Sequence, residues 1–241
     1  MDLICNNEER VLKDNNARAY MLFKNQFYNE YQHDVYSQNG EDGIIEELLK
    51  RLNITDGWVC EFGAWDGIYL SNTFNLVKNK NFNAVYIEGD ARRFEDLLTT
   101  QKSYENITAI NSYVSQDKTD HNSLDNILSR TDIPYDFELL SIDIDGFDYQ
   151  VWKSLEKYQP KIVIIEINSS VNPSNETHIH NPGLYEGTGF QPTLKLGIEK
   201  GYKFVLHTGN MFFVRNDLYE KLNMEYSDPL ENFRTYWLSR T

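Results

Sequence analysis

The chain has 241 residues, 40% of them hydrophobic and 14% aromatic, with a formal net charge of -14. This size and composition specify one folded domain with a sizeable core and exclude a disordered tail. The acidity disfavours nucleic acid as a partner, which clustered Lys and Arg would have to hold, and it equally serves solubility.

Residues 8–32 read as an N-terminal helix, because Val11, Leu12, Ala19, Leu22, Phe23 and Phe27 recur at helical spacing. After a polar, Gly-bearing break at Ser37-Gln38-Asn39-Gly40-Glu41-Asp42-Gly43, the residues Ile44, Ile45, Leu48, Leu49 and Leu52 mark an amphipathic helix. Short apolar runs then alternate with helices. Strands are expected at Trp58 to Phe62, Ala84 to Glu88, Ile107 to Ile110, Glu138 to Ile144 and Lys161 to Ile167. Helices are expected at about Leu70 to Lys78, Arg92 to Gln101, Ser123 to Ser129 and Tyr149 to Leu155. Such alternation predicts a parallel sheet with right-handed crossovers. Near the C-terminus, Tyr202 to His207 and Met211 to Arg215 are separated only by Thr208-Gly209-Asn210, which demands an antiparallel hairpin. Between strand five and this hairpin, residues 168–191 form a long irregular stretch. It reads either as an acceptor-binding loop at the carboxyl end of a strand or as mobile decoration. The expected organisation is a helical extension over 1–35, a catalytic core over 36–216 and a tail over 217–241.

Cys5 and Cys60 are the only cysteines, so a disulfide framework and a Cys-rich zinc site are excluded. The longest apolar run, Ile162 to Ile165, is too short for a membrane span. No basic segment followed by an apolar core stands at Met1 to Glu8, so a cytoplasmic location is expected.

The sharpest signal is the turn after strand one, Glu61-Phe62-Gly63-Ala64-Trp65-Asp66-Gly67, answered by Glu88 at the end of strand two. Glycines permit a tight turn and close approach to a ligand. An acid ending the next strand suits a ribose diol, which needs a fixed acceptor. The turn lacks the G-x-G spacing of dinucleotide sites. Its acids Glu61 and Asp66 would repel a pyrophosphate but suit an ammonium and a sulfonium. The pair therefore points to S-adenosylmethionine (SAM) rather than NAD. Glu88 could instead pair with Arg92 or Arg93. Ser37, Gln38, Glu41 and Asp42 either roof the cofactor or cap the following helix.

Four segments, Tyr36-Ser37-Gln38-Asn39-Gly40-Glu41-Asp42, the turn from Glu61 to Gly67, Tyr86-Ile87-Glu88-Gly89 and Leu140-Ser141-Ile142-Asp143-Ile144-Asp145-Gly146, together resemble the FkbM-like branch of class I SAM-dependent methyltransferases. The resemblance covers roughly residues 36–216. It implies a Rossmann-like α/β fold, a mostly parallel seven-stranded sheet with the antiparallel hairpin at its end and helices on both faces. It also implies that Gln38, Glu61, Gly63, Gly67, Glu88 and Asp143 contact SAM, and that the acceptor carries a hydroxyl. The family's acid-Gly-acid segment stands here as Asp145-Gly146-Phe147-Asp148, with one extra residue before the second acid.

Asp143 and Asp145 are two apart, as are Glu166 and Asn168, so adjacent strands would gather four oxygen-bearing side chains at one sheet edge. Such a group suits Mg²⁺ or Mn²⁺. Some sugar O-methyltransferases of similar fold bind a metal with acids at these strand ends. Without a metal, the acids would hold the acceptor or the SAM ammonium. Asp143, Asp145 or a loop histidine, His178 or His180, could serve as base. Trp65, Tyr69 and Tyr185 could stack on an acceptor or fill the core, and His207 is expected to be structural. The leading expectation is a SAM-dependent O-methyltransferase acting on a sugar or other glycan acceptor, as a monomer or a homo-oligomer. A catalytically silent scaffold of the same fold and an NAD-dependent oxidoreductase are the alternatives.

Overall fold

A computed structural model describes residues 26–184, 186–224 and 228–233. Of the predicted N-terminal helix only the last turns, α1 (Gln26–Tyr31), fall in this range. Cys5, Val11, Leu12, Ala19, Leu22, Phe23 and Tyr185 lie outside the described residues. The other helices are α2 (Glu41–Arg51), α3 (Phe74–Asn79), α4 (Ala91–Ser103), α5 (Leu124–Leu128), α6 (Asp148–Ser154), α7 (Phe190–Glu199) and α8 (Asn216–Tyr219). No described helix is long and apolar enough to cross a membrane.

Seven strands form one sheet: β1 (Trp58–Phe62), β2 (Asn83–Glu88), β3 (Ile107–Asn111), β4 (Leu139–Ile142), β5 (Ile162–Glu166), β6 (Tyr202–His207) and β7 (Asn210–Arg215). Their spatial order is β3-β2-β1-β4-β5-β7-β6. The first five are parallel, and β7 enters antiparallel between β5 and β6. The fold is a Rossmann-like mixed α/β architecture. Its strands are apolar on both sides because helices cover both faces. On β5, Ile162 and Ile164 join one core layer while Val163 and Ile165 join the other, the two-residue period of a pleated strand.

Strand order reverses at β1 and β4, which opens a crevice at their carboxyl ends. Strand β4 stops at Ile142, two residues before the expected Ile144. The cause is Asp148, whose carboxylate accepts from the N–H of Ile144 and of Gly146 at 2.8 Å each. Asp145 takes a left-handed φ of 56° there. Helix α7 had no counterpart in the expected elements. Its signal was present in Phe190, Leu194 and Leu196, which are buried, and in Pro192, which is tolerated in a first helical turn. Residues 168–189 fold back on themselves, with Asn168 N–H donating to Thr188 and Gly189 N–H to His178. In the described part of 217–241, Leu222 and Phe233 are buried against the core.

Candidate active site at the carboxyl edge of the sheet

The turn after β1 is locked by its neighbours. Gly63 and Ala64 both donate to the carbonyl of Ile87, and Gly63 has a φ of 80°. Glu88, nearly buried at the end of β2, accepts from Trp65 N–H at 2.9 Å and from Asp90 N–H at 2.7 Å. Its partners are therefore backbone amides. Arg93 lies instead over the Trp65 ring, 4.6 Å from its centroid. Glu61 Oε2 accepts from the hydroxyls of Ser71 and Thr73, while Oε1 accepts from Asn72 N–H at 3.4 Å. Burial raises the Glu61 carboxyl above its ordinary range, against the pull of those hydroxyls.

Glu61, Gly63, Trp65 and Glu88 line a cavity of about 670 Å³ that reaches to Asp143 and Asp145. Two residues of the turn do other work. Asp66 Oδ1 accepts from Ile68 and Tyr69 N–H and forms a local turn, so of the turn's two acids Glu61 alone lines the cavity. Gly67, with a φ of 77°, packs against Tyr86 and Leu97 instead of lining the cavity.

A second cavity, of about 370 Å³, is lined by Asp143, Asp145, Glu166, Asn168, Glu186 and Asn210, among others. The two cavities share Gln38, Asp143 and Asp145. Of the polar break before α2, Gln38 lines both. Asp42 accepts from the N–H groups of Val35, Tyr36 and Ser37 and from the Ser37 hydroxyl, which ties down the loop. Glu41 is buried and accepts from Thr208 Oγ1 and Asn39 N–H.

Asp143, Asp145 and Glu166 each present a carboxylate oxygen within 4.8 Å of the others. The early end of β4 does not separate them: past it Asp145, in the left-handed backbone region, still borders both cavities. Loss of solvent, then the charge of Asp148, raises Asp143 to about 7. Loss of solvent and Asp143 together raise Glu166 further. Asn168 borders the same cavity with its amide engaged: Oδ1 accepts from Ser170 N–H and Oγ, and Nδ2 donates to the Glu186 carbonyl.

His180 stands behind the junction. Its ring meets Phe147 edge-on at 4.6 Å and lies against Gly146, outside the residues lining either cavity. Nδ1 accepts from Gly187 N–H at 3.0 Å, so the neutral ring carries its proton on Nε2 and offers a donor. His207 is fully buried, hydrogen-bonded to Ser169 Oγ at 2.8 Å and stacked on Phe233. It lines neither cavity. Trp65 and Tyr69 meet edge-on at 5.5 Å at the rim of the larger cavity.

The Methyltransferase FkbM domain family matches residues 28–190, more than half of the chain. This chain belongs to the FkbM methyltransferase domain family. A search of curated proteins gave no match. Among solved structures, M. capricolum TrmK with S-adenosyl-homocysteine is 12% identical, with 70% of this chain and 67% of that chain covered and a TM-score of 0.42. A SAM-dependent methyltransferase from Aquifex aeolicus is 11% identical, with 70% and 88% covered and a TM-score of 0.43. Aeropyrum pernix fibrillarin with natively bound SAM is 12% identical, with 66% of each chain covered and a TM-score of 0.44.

Within this FkbM-domain protein, the cavities also take residues that no motif marks, among them Tyr113, Asn210 and Glu186. Tyr113 and Asn210 border the carboxyl edge, and Glu186 sits on the returning loop. For Tyr113 the available signal was its place just past the end of β3, where open α/β sheets bind ligands.

Proposed function

We propose that this chain transfers the methyl group of SAM to a hydroxyl of a sugar or glycoconjugate, assisted by Mg²⁺ or Mn²⁺. The observation that carries the reading is the junction of the two cavities at Gln38, Asp143 and Asp145. The larger cavity suits the donor. Glu88 faces the ribose hydroxyls, Gly63 lets the chain approach closely, and Glu61 Oε1 remains able to accept from the ammonium. A cationic donor also offsets the cost of the buried Glu61 charge.

The smaller cavity suits a polyhydroxylated acceptor, being walled by carboxylates, carboxamides and hydroxyls. Methyl transfer is an in-line displacement at an activated carbon, so alignment supplies most of the acceleration. In this reading an acceptor hydroxyl reaches the junction at Asp143 and Asp145, one of which takes its proton. Without a bound ion, burial raises the Asp143 carboxyl to about 7, which is matched to base work near neutral pH; with one, Asp143 is a ligand and the ion would supply the activation. His180, with Nδ1 engaged, orients the turn at Gly146 and is the weaker candidate for base.

Three carboxylate oxygens within 4.8 Å are hard donors of the kind Mg²⁺ and Mn²⁺ select. Asp143, Asp145 and Glu166 would hold the ion, and the pKa of a hydroxyl bound to it would fall. Asn168 belongs to this set only if its amide leaves Ser170.

Calorimetry with SAM, S-adenosylhomocysteine and NAD tests the donor. Binding of the first two and not the third is expected, and the reverse would favour the oxidoreductase. Transfer of labelled methyl groups to a panel of glycosides, with and without EDTA, tests acceptor and metal. Donor binding with no transfer to any acceptor would favour the silent scaffold.

A further inference from the structure

Asn210 opens β7, the strand that runs against its neighbour β5. Because of that direction β7 begins where β5 ends, and its first residue reaches the carboxyl edge of the sheet. Asn210 stands directly opposite Glu166 in the antiparallel register. Side chains paired in this way share one face of the sheet, with Cβ atoms about 5 Å apart. The carboxamide of Asn210 therefore lies beside the acids, in the wall of the smaller cavity.

Its backbone is fixed. The Asn210 carbonyl accepts from Thr208 N–H at 2.9 Å, and its own N–H donates to Thr208 Oγ1. That hydroxyl in turn donates to the buried Glu41 at 2.7 Å. The side chain is different. Asn210 is only 6% exposed, yet its amide group has no hydrogen-bond partner among the described residues. Asn168, which also lines this cavity, has both ends of its amide engaged. An amide withdrawn from bulk water without a protein partner is costly unless a ligand completes it. Chemistry narrows the ligand. Ionised carboxylates only accept, whereas a carboxamide both donates and accepts, as a hydroxyl does.

We propose that Asn210 is a specificity-determining residue for the acceptor: its carboxamide holds a second hydroxyl, on a carbon next to the one whose oxygen is methylated. The substrate class is then a vicinal diol and not an isolated alcohol. This inference rests on the reading of the smaller cavity as the acceptor site. A site built to hydrogen-bond a hydroxyl discriminates against the analogue that lacks it, because the protein's polar group is then left unpaired.

The test is kcat/KM for methyl transfer from SAM to the methyl glycosides of glucose, galactose, mannose and fucose, with the methylated position read by NMR. Each accepted glycoside is then compared with its analogues deoxygenated on the neighbouring carbons. Wild type should lose roughly 10- to 100-fold on one such analogue. Asn210→Ala should lose as much on the parent glycoside and little more on that analogue, since one contact cannot be lost twice. Calorimetry should show its affinity for S-adenosylhomocysteine and for Mn²⁺ unchanged. Additive losses overturn the proposal, as does an Asn210→Ala variant as active as wild type on the parent. A loss of Mn²⁺ affinity overturns it too, and makes Asn210 a ligand of the ion. The deoxy series needs no variant: wild type that turns over every neighbouring deoxy analogue as well as the parent also overturns it. If S-adenosylhomocysteine binds and no glycoside is methylated, the acceptor reading itself falls and this inference with it.

Discussion

Gly63 and Asp143 meet so closely that a Cβ on the glycine would stand 1.7 Å from the aspartate's carbonyl oxygen. The turn that lines the larger cavity and the strand end that carries the acids are therefore one packed unit. Gly63→Ala adds this collision to a φ of 80°. The left-handed backbone alone costs a side chain about 1–2 kcal/mol. A fall in Tm of roughly 2–8 °C is expected from the backbone alone, with loss of S-adenosylhomocysteine binding. Thermal melts and calorimetry on the variant would check both, and an unchanged melt would mean that the two segments separate easily.

Glu88 is expected to dominate donor affinity. Its two oxygens are pinned by Trp65 and Asp90 N–H groups, which aim the carboxylate and leave further lone pairs for a diol. Hydrogen bonds to a charged group are worth about 1.5–3 kcal/mol each. Glu88→Ala should weaken S-adenosylhomocysteine by roughly 10- to 100-fold in a titration. Unaltered affinity would remove Glu88 from the site.

Burial of Asp143 sets a pH dependence of stability. Its carboxyl is raised to about 7, so the folded state binds a proton more tightly than the unfolded chain does. That contribution is fully present below about pH 4 and is lost as pH rises through about 7. Asp143→Asn removes the ionisable group. The variant should gain on the order of 2 kcal/mol relative to wild type at pH 8, and the advantage should vanish by pH 4. Melts of both proteins across this range measure it; a gain that grows as pH falls would contradict the assignment.

The same penalty makes the acids sensitive to a divalent ion. Mn²⁺ at about 100 times its dissociation constant should stabilise the wild type by about 2.7 kcal/mol. The effect should be largest above pH 7 and should disappear in Glu166→Gln. Equal shifts in wild type and variant would place the ion elsewhere.

His207 is expected to serve the fold. It joins Ser169 in the lining of the smaller cavity to Phe233 in the C-terminal segment, stacked at 4.5 Å. His207→Phe keeps an aromatic ring for the stack and strands the buried Ser169 hydroxyl, at a cost of about 1–3 kcal/mol. Denaturant unfolding should report that loss while donor affinity stays unchanged.

Much of the fold was legible because it rests on local patterns. β1, β2 and β3, and the β6–β7 hairpin, sit within a residue or so of their expected bounds, since short apolar runs bounded by turn residues mark strands directly. Strand β4 was read too long because a side chain six residues beyond its end, Asp148, takes the amides that would have continued the ladder. Helix α7 was overlooked beside the Pro- and Gly-bearing loop before it. Its burial against the sheet, with Gly197 under Phe213, is a tertiary matter.

By itself the sequence determined the alternating fold, the glycine turn with its answering Glu88, and the acids at the ends of β4 and β5. These depend on residue type and spacing along one strand. Tertiary structure alone decided which acids face the cavities. Asp66, Glu41 and Asp42 accept from backbone amides or hydroxyls and line neither cavity, whereas Glu61, Asp143, Asp145, Asp148 and Glu166 border the open space. A carboxylate's role follows from which donors reach it first, and donors from distant parts of the chain meet it only once the sheet has formed.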